Sequence, residues 1–137
     1  MFESAATTRI GATFDSNSNK VVIVYRDDGN SSYGTAVVGT VSGTSISFGT
    51  PVVFNSGDTI TPSAAFDSSN NKIVIAYKDS GNSQYGTAIV GTVSGTSISF
   101  GSEVVFEAAA LKDYVGIAFD SNSNKIVIAY SDQGNSS

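Results

Sequence analysis

The chain has 137 residues and a net charge of −5, and it contains no cysteine and no histidine. That length suits one modest domain, without disulfide or thiolate chemistry and without an imidazole base. The seven Lys and Arg residues are dispersed along the chain. They form no basic face for nucleic acid or an anionic membrane, and no apolar run is long enough to span a bilayer as a helix.

Gly, Ser, Thr, Asn and Val dominate, and tracts of strong helix formers are missing, which predicts an all-β protein with many turns. The opening MFESAATTR lacks the basic and apolar regions of a signal peptide, so none is expected. MFESAATTRIGATFD aligns with VFEAAALKDYVGIAFD further on. Residues 1–8 therefore read as the end of a preceding unit.

A small apolar strand follows at Ile10–Phe14, with copies at Ser63–Phe66 and Val115–Phe119. Phe14, Phe66 and Phe119 are 52 and 53 positions apart, and a repeat of that length dictates the architecture. The turn DSNSN comes next, then an apolar strand, Val21–Arg26, Ile73–Lys78 or Ile126–Ser131. Apolar residues at both alternate positions predict cover on both faces. Val22, Val24, Ile73, Ile75, Ile126, Ile128 and the three repeated Phe residues form the predicted core.

The turn DDGNSS or DSGNSQ reads as a hairpin that needs its Gly. A third strand spans Tyr33–Val41 or Tyr85–Val93, SGT turns the chain, and a fourth spans Ser45–Phe54 or Ser97–Phe106. Gly49 and Gly101 predict a bulge there, and Pro51 an edge. NSGDTITP and EAAALKDY read as longer links. The units are then 9–60, 61–112 and 113–137, about two and a half in a single repeat domain.

Four strands in a meander with one longer crossover, repeated, predict a β-propeller-like arrangement of four-stranded antiparallel blades. A β-solenoid is the competing repeat fold, but its coils are shorter. The Trp-Asp dipeptide of WD-repeat blades is absent, and the sialidase Asp-box is only echoed in YKDSGNSQY. The phrase KIVIAYKDSGNSQYGTAIVGTVSGTSISFG resembles repeats of uncharacterised marine microbial and phage-type, tail-fibre-like β-propeller proteins, over the whole chain. The resemblance brings no activity and no site; it implies an extracellular or virion surface.

Asp15, Asn17 and Asn19, with Asp120, Asn122 and Asn124, match the first ligands of a calcium loop. Lys20 and Lys125 stand where its Gly belongs, Arg26 and Ser131 where its Glu belongs, and the middle copy has lost a ligand. Asx and Ser turns explain the same residues, so no metal and no cofactor is expected. Asp27, Asp79 and Asp132 open the second turn, as rim contacts for a ligand or as hairpin residues. Tyr25, Tyr77, Tyr130, Tyr33 and Tyr85 are the candidates for stacking on a sugar, against ordinary packing of an amphipathic ring. Asn30-Ser31-Ser32 and Asn135-Ser136-Ser137 fit a glycosylation pattern that also arises by chance.

Catalysis finds no support, since no feature brings two carboxylates together in a cleft. The expectation is a non-enzymatic binding module, with carbohydrate as candidate ligand; the alternative is a scaffold without a small ligand. A propeller closes with roughly four to eight blades, so the expectation is a fragment of a larger propeller or tail-fibre-like protein, or a homo-oligomer, dimer or trimer, the two being compatible.

Overall fold

The phrases that open each unit fold as β-hairpins. The computed structural model describes residues 1–133, and these form ten strands joined only by antiparallel pairings. They are β1 (Thr7–Asp15), β2 (Lys20–Asp27), β3 (Tyr33–Ser42), β4 (Ser45–Phe48), β5 (Val52–Asp67), β6 (Lys72–Asp79), β7 (Tyr85–Ser94), β8 (Ser97–Phe100), β9 (Val104–Asp120) and β10 (Lys125–Asp132). The order across the sheet is β1-β2-β3-β5-β6-β7-β9-β10, with β4 beside β3 and β8 beside β7.

The DSNSN segment caps the β1–β2, β5–β6 and β9–β10 hairpins. Asp15 Oδ1 accepts from the backbone N–H groups of Asn17 (2.9 Å) and Ser18 (3.1 Å), and Oδ2 accepts from the Ser18 hydroxyl. Asp67 and Asp120 repeat the pattern. The last residue of each tip, Asn19, Asn71 or Asn124, takes a positive φ of 54–56°, which Asn tolerates better than most residues.

The second turn departs from expectation. Its positive φ values fall on Ser31 and Ser32, and on Ser83 and Gln84, while Gly29 and Gly81 are not left-handed. Tyr33 N–H bonds the Asn30 carbonyl and Tyr85 N–H the Asn82 carbonyl, so these pairs have the mirror-image turn geometry that suits a hairpin. Gly29 is required for closeness instead. A Cβ there would lie 2.3 Å from the Ala5 Cβ.

The predicted fourth strand is two pieces. β4 ends at Phe48, and pairing with β3 resumes at Val52, across Gly49-Thr50-Pro51. The predicted link NSGDTITP is also strand. β5 pairs with β3 as far as Asp58, then with β6 from Thr59 onward, and β9 changes from β7 to β10 between Ala110 and Leu111. The boundaries read at 60/61 and 112/113 thus lie inside continuous strands, two residues past each change of partner.

Because each long strand serves two sheets, successive units are laid face against face. The core lies between the first two. Val22, Val24, Ala36 and Val38 face Ile73, Ile75, Tyr77, Ile89 and Ile98. The small residues of the first strands allow this: at Gly11 a Cβ would come within 3.0 Å of the Pro62 carbonyl oxygen.

Two core assignments need correction. Phe14 is exposed, because among the described residues no unit covers the outward face of the first, and Phe66 and Phe119 are half-buried. Ile126 and Ile128 are half-buried, since β10 is the last strand of the sheet among the described residues and no strand beyond it completes their cover. Ile75, covered on both sides, is fully buried. Ile75→Ala should cost about 2–5 kcal/mol by chemical denaturation, whereas Val127→Ala, at an exposed position, should cost under about 1 kcal/mol; equal costs would overturn the layering.

Candidate functional site

Each unit holds the same aromatic group. Phe2 meets Tyr25, Phe54 meets Tyr77 and Phe106 meets Tyr130, with ring centroids 5.2–5.3 Å apart. Phe2 also touches Phe48, and Phe54 touches Phe100. The Phe comes from the end of one unit's fourth strand and the Tyr from the next unit's second strand, so the rings join neighbouring units, edge-to-face in Phe2–Tyr25 and tilted in the other two pairs. Tyr25 and Tyr77 are therefore fully buried. As sugar-stacking residues they are corrected to core: their ring faces are already occupied. Tyr33 and Tyr85 are half-buried at the strand starts, and Tyr130 is more exposed.

A buried phenol needs an acceptor, and the units meet that need in two ways. Tyr25 donates to Glu3 (3.5 Å) and Tyr130 to Glu107 (2.9 Å), both one residue past the stacked Phe. In the middle unit that position is Asn55, and Tyr77 donates to Glu103 at 2.7 Å. Pro51 stands where Glu103 does one unit earlier. Burial, and then the bond to Glu103, push the Tyr77 hydroxyl well above its ordinary pKa. For Tyr130 the bond to Glu107 is the larger cause.

Asn55, not needed by Tyr77, turns to the second hairpin. Its Nδ2 donates to Thr59 Oγ1 (3.0 Å) and Asp79 Oδ1 (3.3 Å), and its Oδ1 accepts from Gly57 N–H (2.9 Å). Asp79 Oδ1 also accepts from Gly81 N–H at 2.9 Å. Asn55 and Asp79 are both buried. Beside them opens a polar cleft of about 280 Å³, lined by Asn55, Ser56, Gly57, Asp79, Gly81 and Asn82.

The first unit is filled at the matching position, and its opening, of about 430 Å³, lies elsewhere, between Met1, Phe2, Glu3, Ser4 and Pro51. Glu3-Ser4-Ala5 replaces Asn55-Ser56-Gly57, and the Ala5 methyl fills the space against Gly29. Asp27 there is also buried and accepts from Gly29 N–H at 3.1 Å. In the third unit Glu107-Ala108-Ala109 again carries Ala, and Asp132 is half-buried. Gly134 and the Asn135-Ser136-Ser137 pattern lie outside the described residues. Of the predicted site residues, then, Asp79 alone lines the cleft. Asn55, Ser56 and Gly57 were passed over as a link, although the comparison of NSGD with ESAA and EAAA marks them as the one polar, Gly-bearing copy.

The DSNSN carboxylates are occupied by their own turns. The Ser123 hydroxyl, then backbone N–H groups, hold Asp120 below the ordinary carboxylate range, and Ser69 and Asn70 do so for Asp67. Such lowered groups favour the folded turn at neutral pH, and that preference disappears as acid protonates them. Among the described residues no group of three or more His, Cys, Asp or Glu is arranged to hold a metal. Comparison with protein-family models, curated proteins and solved structures returned no match to this chain.

Glu103→Ala should destabilise the fold by about 1–3 kcal/mol, the cost of a buried hydroxyl without its partner. Glu103→Gln keeps an acceptor and should stay closer to wild type; equal losses would remove the Tyr77 bond from the account. Calcium titration should leave the melting temperature unchanged, and a steady rise with calcium would make the DSNSN turns metal loops.

Proposed function

We propose that this chain is a non-enzymatic repeat module of the β-propeller type that binds polyhydroxylated surface ligands, glycans being the class, at the rim cleft of its middle unit. The propeller reading is supported by the four-position antiparallel meander of the first two units, by strands that carry the chain directly into the next unit, and by small residues where first strands approach. The binding reading rests on one observation. Only the middle unit replaces Glu-Ser-Ala or Glu-Ala-Ala with Asn55-Ser56-Gly57, and there the rim is open. The exposed Ser56 hydroxyl, as donor or acceptor, and the acceptor capacity of the Asn55 and Asp79 oxygens beyond their own network match ligand hydroxyls. Recognition would be by hydrogen bonding, since the tyrosines of the inner layers are enclosed.

A scaffold without a small ligand is the second reading. It is favoured by the aromatic contact repeated at every junction, which builds rigidity rather than a pocket. A glycan array on the full chain separates the two, paired with Gly57→Ala. That substitution copies the Ala5–Gly29 neighbourhood of the first unit, so the fold should persist with the cleft filled. Binding to a subset of glycans, weakened at least about tenfold (1.4 kcal/mol) by Gly57→Ala, is the expected result. Silence across diverse glycans would leave the scaffold; binding untouched by Gly57→Ala would move the site elsewhere.

A further inference from the structure

Of the residues that line the rim cleft of the middle unit, only Asp79 is ionisable. It is 6% exposed, and its Oδ1 accepts from Gly81 N–H (2.9 Å) and Asn55 Nδ2 (3.3 Å). Its Oδ2 accepts no hydrogen bond among the described residues. No cation of the described residues answers its charge either. Arg26 is held by Asp28 (2.8 Å) and Asp58 (3.4 Å). Lys78, one residue earlier in β6, projects to the other face of the strand and reaches Asp113 (3.7 Å).

The first unit shows what this carboxylate does for the turn alone. Asp27 is likewise buried, accepts from Gly29 N–H at 3.1 Å, and has the Ala5 methyl closed over the glycine beside it. The turn needs the carboxylate as an acceptor for one N–H, and needs no cation. In the middle unit the same group borders an open cleft, because Gly57 faces Gly81 with no side chain on either. The walls are β5 at Asn55–Gly57 and the turn after β6. They lie within the sequence, with a described unit before and after.

We infer that the cleft selects glycans that carry a free amine, unacetylated amino sugars being the class, over neutral glycans and against anionic ones. This rests on the reading of the cleft as a glycan site and names its preferred ligand. A sugar seated there strips the remaining water from Asp79, and covering a carboxylate is costly unless the ligand returns what water supplied. A hydroxyl returns one donor and no charge. A protonated amine returns three donors and an opposite charge, and the attraction between the charges grows where water is excluded. Asp79 Oδ2, the second lone pair of Asn55 Oδ1 and the exposed Ser56 hydroxyl have acceptor capacity to spare for those donors. Acetylation of the amine removes the charge and leaves one N–H. A uronate or sulfated sugar brings a like charge to Asp79, in a chain whose net charge is already −5.

Calorimetric titration of the full chain tests this with oligomers of glucosamine, N-acetylglucosamine, glucose and glucuronic acid, matched in length and linkage, at mildly acidic pH where the amine is charged. The glucosamine oligomer should bind at least about tenfold more tightly than the acetylated and glucose oligomers (1.4 kcal/mol), and the glucuronic acid oligomer most weakly. Asp79→Asn keeps an acceptor for Gly81 N–H and removes the charge. It should bring the glucosamine oligomer down to the level of glucose, with folding checked by circular dichroism. If that variant does not fold, the four oligomers on wild type decide the matter without it. Equal binding of the four, lost on Gly57→Ala, would overturn the preference and leave the glycan cleft standing. Binding of none of them overturns the preference, and a silent glycan array beside it removes the cleft reading as well. An amine preference that persists in folded Asp79→Asn places the charge contact elsewhere and defeats the inference. Butylamine offers the amine without ring hydroxyls; parity with the glucosamine oligomer would remove the sugar as the ligand.

Discussion

The change of partner between Asp58 and Thr59, repeated between Ala110 and Leu111, is the constraint on which this fold rests. A strand that satisfies one sheet's hydrogen bonds with its first half and another's with its second half ties the two sheets without a loop. Backbone groups must be paired wherever they are buried, so the switch has to occur within a residue or two. Thr59 and Leu111, just past the switch, are fully buried, and their N–H groups bond back to the carbonyls of Ser32 and Gln84. The face-to-face stacking, the enclosed aromatic groups and the placement of the rim turns all follow from that junction.

The junction also decides which sequence variation the repeat can absorb. The stacked Phe lies four residues before the switch in both long strands, and the Tyr it covers always needs an acceptor. Glu supplies it from the residue after the Phe in two units. In the middle unit Glu103 supplies it from the segment between β8 and β9, which leaves position 55 free for Asn. A packing duty has been moved from one residue to another. The residue released has entered a polar network with Thr59 and Asp79 beside the open rim.

Much of this was legible in the sequence. The hairpins, their Asx turns and the doubly covered second strand followed from period-two alternation and turn chemistry, which are local signals. What was not legible was set by neighbours. NSGDTITP looks like a link because Gly, Asp and Pro are turn residues, yet two sheets recruit it as strand and Gly57 is used for closeness. Gly29 and Gly81 looked like left-handed turn residues, but the chain places that conformation two residues later. Phe14 and Phe66 are the same residue in the same motif; one is bare and one packed because of the layer beside it. The tyrosines show the converse. Their repetition suggested a repeated ligand contact, when it marks a repeated joint between units.

A repeat built by stacking has no intrinsic stopping point. Each unit covers one face of its neighbour and offers an equivalent face to the next, so a finite array always presents two unlike apolar ends. Repeat proteins usually close such ends with polar residues. Here Val127, Ala129, Phe14 and Ile46, on the outward faces of the third and first units, keep the composition of the interior positions they match. The same near-identity of units that makes the core predictable therefore also leaves the outward faces of the first and third units like the two sides of an internal junction.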